Sequence, residues 1–131
     1  MRIEELSVGD FIFFTDGDCV VSVQEIYSDA QLLVSDGDSI SEPVHITHLI
    51  PIPITPEILK KNGLEYEYDG NDAIIFLCCD MFWARLCVGD TFWQVGIHSE
   101  DRLDAVVCNV NYTHQLQHAL RLAGVGKEIV V

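Results

Sequence analysis

The sequence predicts an α+β fold in two parts: a small antiparallel β barrel over residues 1–54, then an antiparallel sheet packed with a C-terminal helix over residues 55–131. Three observations predict it. Residues 8–50 hold short apolar runs separated by Asp-Gly turns, the pattern of successive hairpins. Three prolines, Pro51, Pro53 and Pro56, punctuate the join between the parts. Beyond them come further apolar strands and one stretch, 111–123, whose apolar residues repeat with a helical period.

The elements follow in order. Val8-Gly9-Asp10 leads into a strand at Phe11-Ile12-Phe13-Phe14, and Asp16-Gly17-Asp18 turns the chain. Residues 19–27 alternate, which points Val21, Val23, Ile26 and Tyr27 inward. Leu32-Leu33-Val34 is a third strand, Asp36-Gly37-Asp38 a second turn, and residues 44–50 a fourth extended piece. Strands so short and so evenly spaced suggest a meander curled into an SH3-like barrel, by architectural analogy. A residue before proline is pushed out of the helical region, so residues 50–55 are expected to be extended. Thr55 then caps a short helix with Pro56 at its first position, and Gly63 closes it after Asn62.

In the second part, residues 73–79 are apolar on both faces and read as a central strand. Strands at 81–88, 91–97 and 104–110 follow, with Val88-Gly89-Asp90 as a tight link and a polar turn at 99–102. Residues 111–123 form the longest helix, with Asn111 as its cap and Gly124 at its end. Glu128-Ile129-Val130-Val131 is expected to add a last strand.

Charge and composition exclude several classes. The chain has 21 acidic and 7 basic residues, for a net charge of -14, yet 49% of it is apolar. Disorder needs high charge with low hydrophobicity, so the chain is expected to fold. A nucleic-acid backbone binder needs a basic patch, and this field repels nucleic acid and anionic membranes alike. Residues 1–54 are the more acidic part, with ten carboxylates against Arg2 alone. Such a surface either attracts a basic partner, imitates nucleic acid, or simply keeps an apolar chain solvated; the last is the bland reading. The first residues have no apolar leader core, and no run approaches a membrane span, so a cytoplasmic protein is expected. Five cysteines, Cys19, Cys78, Cys79, Cys87 and Cys108, include no CxxC pair and mostly sit in apolar runs. Reduced core thiols are the expectation.

Catalytic and metal-binding constellations are weak. His114 and His118 stand four apart on the last helix, a spacing that suits one metal ion. On a helical wheel Tyr112, Leu116, Ala119, Leu120, Leu122 and Ala123 span an apolar arc of roughly 160°. His114, Gln117, His118 and Arg121 then fall opposite, facing solvent, and Gln115 stands where a zinc-peptidase helix needs a glutamate base. Cys108, just before the helix start, is the one cysteine with an argument for a lowered pKa, against the apolar Ala105-Val106-Val107 beside it. His98 is a further candidate partner for a cysteine or metal site. The Asp-rich turns, including Asp69-Gly70-Asn71-Asp72, lack the distal glutamate of a calcium loop. His45 and His48, three apart in an extended segment, cannot share a strand face. No catalytic residue, metal or cofactor is therefore assigned.

The best interaction signal is aromatic. Phe82, Trp83, Phe92 and Trp93 fall in one expected hairpin. Alternation puts Trp83 with Met81, Arg85 and Cys87 on one face, and Phe82 with Ala84, Leu86 and Val88 on the other. Both faces are largely apolar, so one can pack on the helix while the other meets a partner or a second copy. Trp83, Trp93, Phe82, Phe92 and Arg85 are the interaction candidates; a core buried on both sides is the competing reading.

Two segments carry a family resemblance. They are Leu49-Ile50-Pro51-Ile52-Pro53-Ile54-Thr55-Pro56-Glu57-Ile58-Leu59-Lys60-Lys61-Asn62-Gly63, and Asn111-Tyr112-Thr113-His114-Gln115-Leu116-Gln117 with the downstream Ala123-Gly124-Val125-Gly126-Lys127-Glu128. Together they resemble a group of small uncharacterised proteins from gut anaerobes and their prophages, which share a Gly-Asp or Gly-Asn opening strand, a proline-rich join and an HQLQ helix. The resemblance implies a two-part layout and a mobile-element context, with no activity, substrate or cofactor attached. His118 stands where that group tends to have asparagine, and Ala119-Leu120-Arg121-Leu122 lacks the aromatic pair usual there. The expectation is a non-enzymatic protein-binding or assembly protein, working through a protein partner or as a homo-oligomer. A small metal- or cysteine-dependent enzyme and an acidic nucleic-acid mimic are the alternatives.

Overall fold

In a computed structural model, Met1–Ile52 with Val131 and Pro53–Val130 form two units. The described residues are 1–68, 73–78, 82–87, 92–99 and 102–131, with side chains in the second sheet described at 65, 74–77, 82–86, 92–97 and 108–110. The fold is α+β, with two five-stranded antiparallel sheets and a C-terminal helix. Among the described residues, no helix is long and apolar enough to cross a membrane.

The first unit opens with a single 3-10 turn at Ile3–Glu5, followed by β1 (Phe11–Phe14), β2 (Cys19–Ile26), β3 (Gln31–Ser35), β4 (Val44–His45) and β5 (Leu49–Ile50). Their order is β4-β3-β2-β1-β5, and every neighbouring pair is antiparallel. Alternation builds the core: Ile12 pairs with Val21 and Val23 with Val34, and these four pack with Leu32, Leu49, Ile3 and Leu6. The Gly9-Asp10 pair fixes the entry to β1. Gly9 takes a φ of 95°, and the buried Asp10 carboxylate accepts the Ser7 backbone N–H at 2.7 Å.

Two expectations for this unit are corrected. Ile26 and Tyr27 are 41% and 63% exposed. A bulge between Val23 and Glu25 shifts the register, and β2 then runs past the end of the core. The expected strand at 44–50 is instead two two-residue strands around a 3-10 turn, Ile46–His48. That turn lets the chain leave β3 and reach the far side of β1. Its start is held by the His45 ring, which accepts the Thr47 backbone N–H at 3.2 Å.

The second unit begins with the extended, proline-rich join, where Pro53 bridges Tyr112. Helix α1 (Pro56–Lys61) starts as the sequence dictates: Thr55 Oγ1 accepts the Ile58 N–H at 3.3 Å, Pro56 occupies the first turn, and Gly63 follows at a φ of 80°. The meander β6 (Glu65–Tyr68), β7 (Ala73–Cys78), β8 (Phe82–Cys87), β9 (Trp93–Ser99) and β10 (Arg102–Val110) comes next, in the spatial order β10-β9-β8-β7-β6. β7 lies between two neighbours, as its apolar composition requires. The links expected at 69–72 and 88–90, with Cys79 and Met81, lie outside the described residues, as do the side chains of Cys78, Cys87 and His98. Helix α2 (Thr113–Leu122) packs Leu116, Ala119 and Leu120 against Phe76, Phe82, Ala84, Trp93, Val95 and Val110.

Three expectations here are overturned. Asn111 is exposed and does not cap α2 with its side chain; the Gln115 carboxamide reaches back and accepts the backbone N–H of Asn111 at 2.8 Å and of Tyr112 at 3.2 Å. The buried stripe of α2 is turned relative to the apolar arc, so that Leu122 is 83% exposed while His114 and Gln117 are buried. The reason is a second wall: after Gly124 the chain runs back beside α2, and Val125 and Ile129 enter the same core. Residues 128–131, finally, form no strand. Side-chain amides take the place of a strand partner for this segment. Asn62 donates to Val130 O and accepts from Val130 N–H, both at 2.7 Å. Gln117 donates to Lys127 O at 3.0 Å and accepts the Ile129 N–H.

Candidate functional site

In the first unit, strands β1, β2 and β3 are antiparallel in sequence, so the end of β1, the start of β2 and the end of β3 lie together. Both Asp-Gly-Asp turns, at 16–18 and 36–38, therefore sit at one end of the sheet. Between them opens a pocket of about 230 Å³. Its floor is Phe14, Val21 and Val34; Gly17 and Cys19 form one wall, and Asp36, Ser39 and Ser41 the other.

The geometry of each wall follows from its turn. Gly17 sits so close to the Phe14 ring that a Cβ there would meet Cδ1 at 2.9 Å, so any larger residue has to displace that ring. Asp18 adopts a left-handed φ of 49°, a conformation aspartate tolerates. Asp16 is engaged with His48 Nδ1 at 2.8 Å. On the opposite wall, Asp36 Oδ1 accepts the backbone N–H of Asp38 at 2.9 Å and of Ser39 at 3.1 Å, and Gly37 takes a φ of 104°. Those two N–H donors hold the Asp36 carboxyl below its ordinary pKa. Ser41 Oγ accepts the Val34 N–H at 3.2 Å. The result is an apolar pit with an ionised carboxylate on its rim.

The aromatic candidates divide between the two faces of the second sheet. Phe82 and Trp93 are buried in the core beneath α2, with Trp93 centred 6.0 Å from Phe76. Phe92 is half-buried. Trp83 and Arg85 occupy the other face, where Trp83 pairs across the strands with Leu77 and Gly96. The Arg85 guanidinium carbon lies 5.5 Å from the Trp83 ring centroid, and Nη2 donates to Gln94 Oε1. These two contacts hold the guanidinium within the sheet, while Arg85 Nε and Trp83 Nε1 are buried without a hydrogen-bond partner among the described residues. Trp83 itself is only 5% exposed.

Among the described residues, the histidine and cysteine candidates form no metal-holding group. The His114 and His118 ring centroids are 5.9 Å apart, and Tyr112 stacks on His114 at 6.0 Å. His114 is 1% exposed, inside the packing of α2 and not on the solvent face its wheel position suggests. Among the described residues, no three His, Cys, Asp or Glu side chains are grouped to hold a metal ion. Cys19 and Cys108 are free thiols, and burial pushes the Cys108 thiol above its ordinary pKa. That direction opposes the thiolate a nucleophile needs.

Sequence reasoning missed the pocket and the two amide clamps. Asn62 had a visible signal, a polar residue just before the glycine that ends α1, but helix-capping logic alone accounts for it. Gln117 stands on the polar arc of the wheel, and nothing local marks it as buried. Comparison of the chain with protein-family models, with curated proteins and with solved structures gives no match.

Proposed function

We propose that this is a non-enzymatic protein-binding or assembly protein of the cytoplasm, related to the gut-anaerobe and prophage group, which holds a protein partner or a second copy on the acidic surface of its first unit. The observation that carries this reading is the mixed character of that surface. Val20, Ile26, Tyr27, Ile40 and Ile50 are each more than a third exposed, on a unit whose carboxylates are balanced only by Arg2. Apolar residues set among charges of one sign suit a partner of opposite charge with apolar contacts of its own. The aromatic hairpin is the lesser route, because Phe82 and Trp93 serve the core. The raised Cys108 pKa weighs against the enzymatic alternative.

The SH3-like reading of the first unit belongs with this proposal. It is supported by the order β4-β3-β2-β1-β5, by the bulge in β2 and by the single 3-10 turn between β4 and β5. Against a closed barrel, β4 and β5 share no ladder among the described residues.

The test is affinity capture of the tagged protein from its host's lysate, with bound metal measured on the same sample and Tyr27→Ser with Ile40→Ser as the comparison. A stoichiometric protein that the double variant fails to retain is the expected result. Near-stoichiometric metal without any protein partner overturns the reading.

A further inference from the structure

We propose that the pocket at the end of the first sheet is a lysine socket: it takes the side chain of one lysine from an extended, basic segment of a partner protein. The inference rests on the protein-binding reading above and names the chemistry of its partner.

The shape sets the first condition. A pit of about 230 Å³ floored by Phe14, Val21 and Val34 accepts a single long side chain and no folded element. Its walls are apolar below and polar at the rim, so the occupant needs a hydrocarbon stem and a polar end, which is how lysine and arginine bury themselves. Charge sets the second. The rim holds Asp36, with Asp38 in the same turn, and the whole unit carries one basic residue, Arg2. An acidic end group is repelled there and a neutral one gains a hydrogen bond at most, whereas a cation is both steered and held.

Hydrogen bonding decides between the two cations. Asp36 Oδ1 is already committed to the N–H groups of Asp38 and Ser39, which leaves Oδ2 as its open acceptor among the described residues. A guanidinium is favoured where two carboxylate oxygens meet its planar fork. One oxygen beside the hydroxyls of Ser39 and Ser41 suits the compact ammonium, whose three donors can point separately. A second copy of this chain is a poor occupant of this pit, since it offers no extended basic segment: Lys60 and Lys61 lie in α1, and Lys127 stands alone between Gly126 and Glu128.

The experiment titrates the ¹⁵N-labelled full chain with a Gly-Lys repeat decapeptide, its Gly-Arg counterpart and a lysine-acetylated form. The expected result is saturable shifts of the Gly17, Ser39 and Ser41 amides with the lysine peptide and none with the acetylated one. Asp36→Asn keeps the Oδ1 acceptor and removes the charge, and weakens binding by about fivefold. Ser39→Phe fills the pit from an exposed position and abolishes binding. Unmoved amides overturn the proposal. So do shifts spread over all the carboxylates that survive Ser39→Phe, or an arginine peptide that binds more tightly. If the Ser39→Phe chain still retains a stoichiometric partner from lysate, the socket is wrong while the protein-binding reading stands. Loss of every partner by the unmodified chain defeats both.

Discussion

The Asn62 carboxamide grips the backbone of Val130 by two hydrogen bonds of 2.7 Å, one in each direction, across 68 residues of sequence. Its nitrogen also donates to Ile58 O at 2.8 Å, so one side chain ties the end of α1 to the C-terminal segment. Gln117 does the same from α2, bonding to Lys127 and Ile129 of that segment. Both amides are buried, where a hydrogen bond is protected from water and an unmade one is costly. These clamps are what bring Val125 and Ile129 into the core without a further strand.

Asn62→Ala should therefore destabilise the protein by about 2–4 kcal/mol, since it strands the N–H and the carbonyl of Val130, while Ile58 O keeps the Asn62 backbone N–H. Urea denaturation measures the loss, and amide exchange at Val130 should rise with it. Unchanged protection at Val130 would show that the clamp does not hold the segment.

The two clamps act on one segment, so their losses should not add. A double-mutant cycle of Asn62→Ala and Gln117→Ala is expected to show a coupling of about 1 kcal/mol. Additive losses would mean that each amide is an independent local contact.

Trp93→Ala should cost about 3–5 kcal/mol, as a large ring removed from a packed core. Arg85→Met tests the other face. It removes the cation over Trp83 and the bond to Gln94, and should cost about 0.5–2 kcal/mol, read by thermal or chemical denaturation. A change in solution mass on either substitution, with the monomer still folded, would instead assign that residue to an interface.

The Asp36 turn should depend on acid in a defined direction. Its folded pKa lies below the ordinary aspartate value of about 3.9. The contribution is thus complete above that value and disappears as pH falls through the lower, folded one. NMR titration of the Asp38 and Ser39 amides should give a midpoint below that of an unstructured reference peptide. A midpoint at or above the reference would contradict the two hydrogen bonds to Oδ1.

How far the fold is legible in the sequence depends on how local its causes are. Thr55-Pro56 and Gly63 declare α1 because capping and φ are decided within one turn. Val21, Val23 and Val34 declare the first core through alternation. Ile26 and Tyr27 mislead because a bulge changes register without changing composition. His114 and Gln117 mislead for another reason. A wheel ranks faces by polarity, but the face of α2 that is buried depends on where residues 125–130 return, and that is a long-range fact. The pocket escapes for the same reason: it exists only because two turns, twenty residues apart in sequence, meet at one end of a sheet.

The most direct test of the functional account is zero-length carbodiimide cross-linking in the host's lysate, which joins carboxylates to lysines already in contact. The account predicts a reproducible cross-linked protein whose lysines map to carboxylates within residues 1–52, with Asp36 and Asp38 among them. No cross-linked partner, or links confined to the second unit, would contradict it.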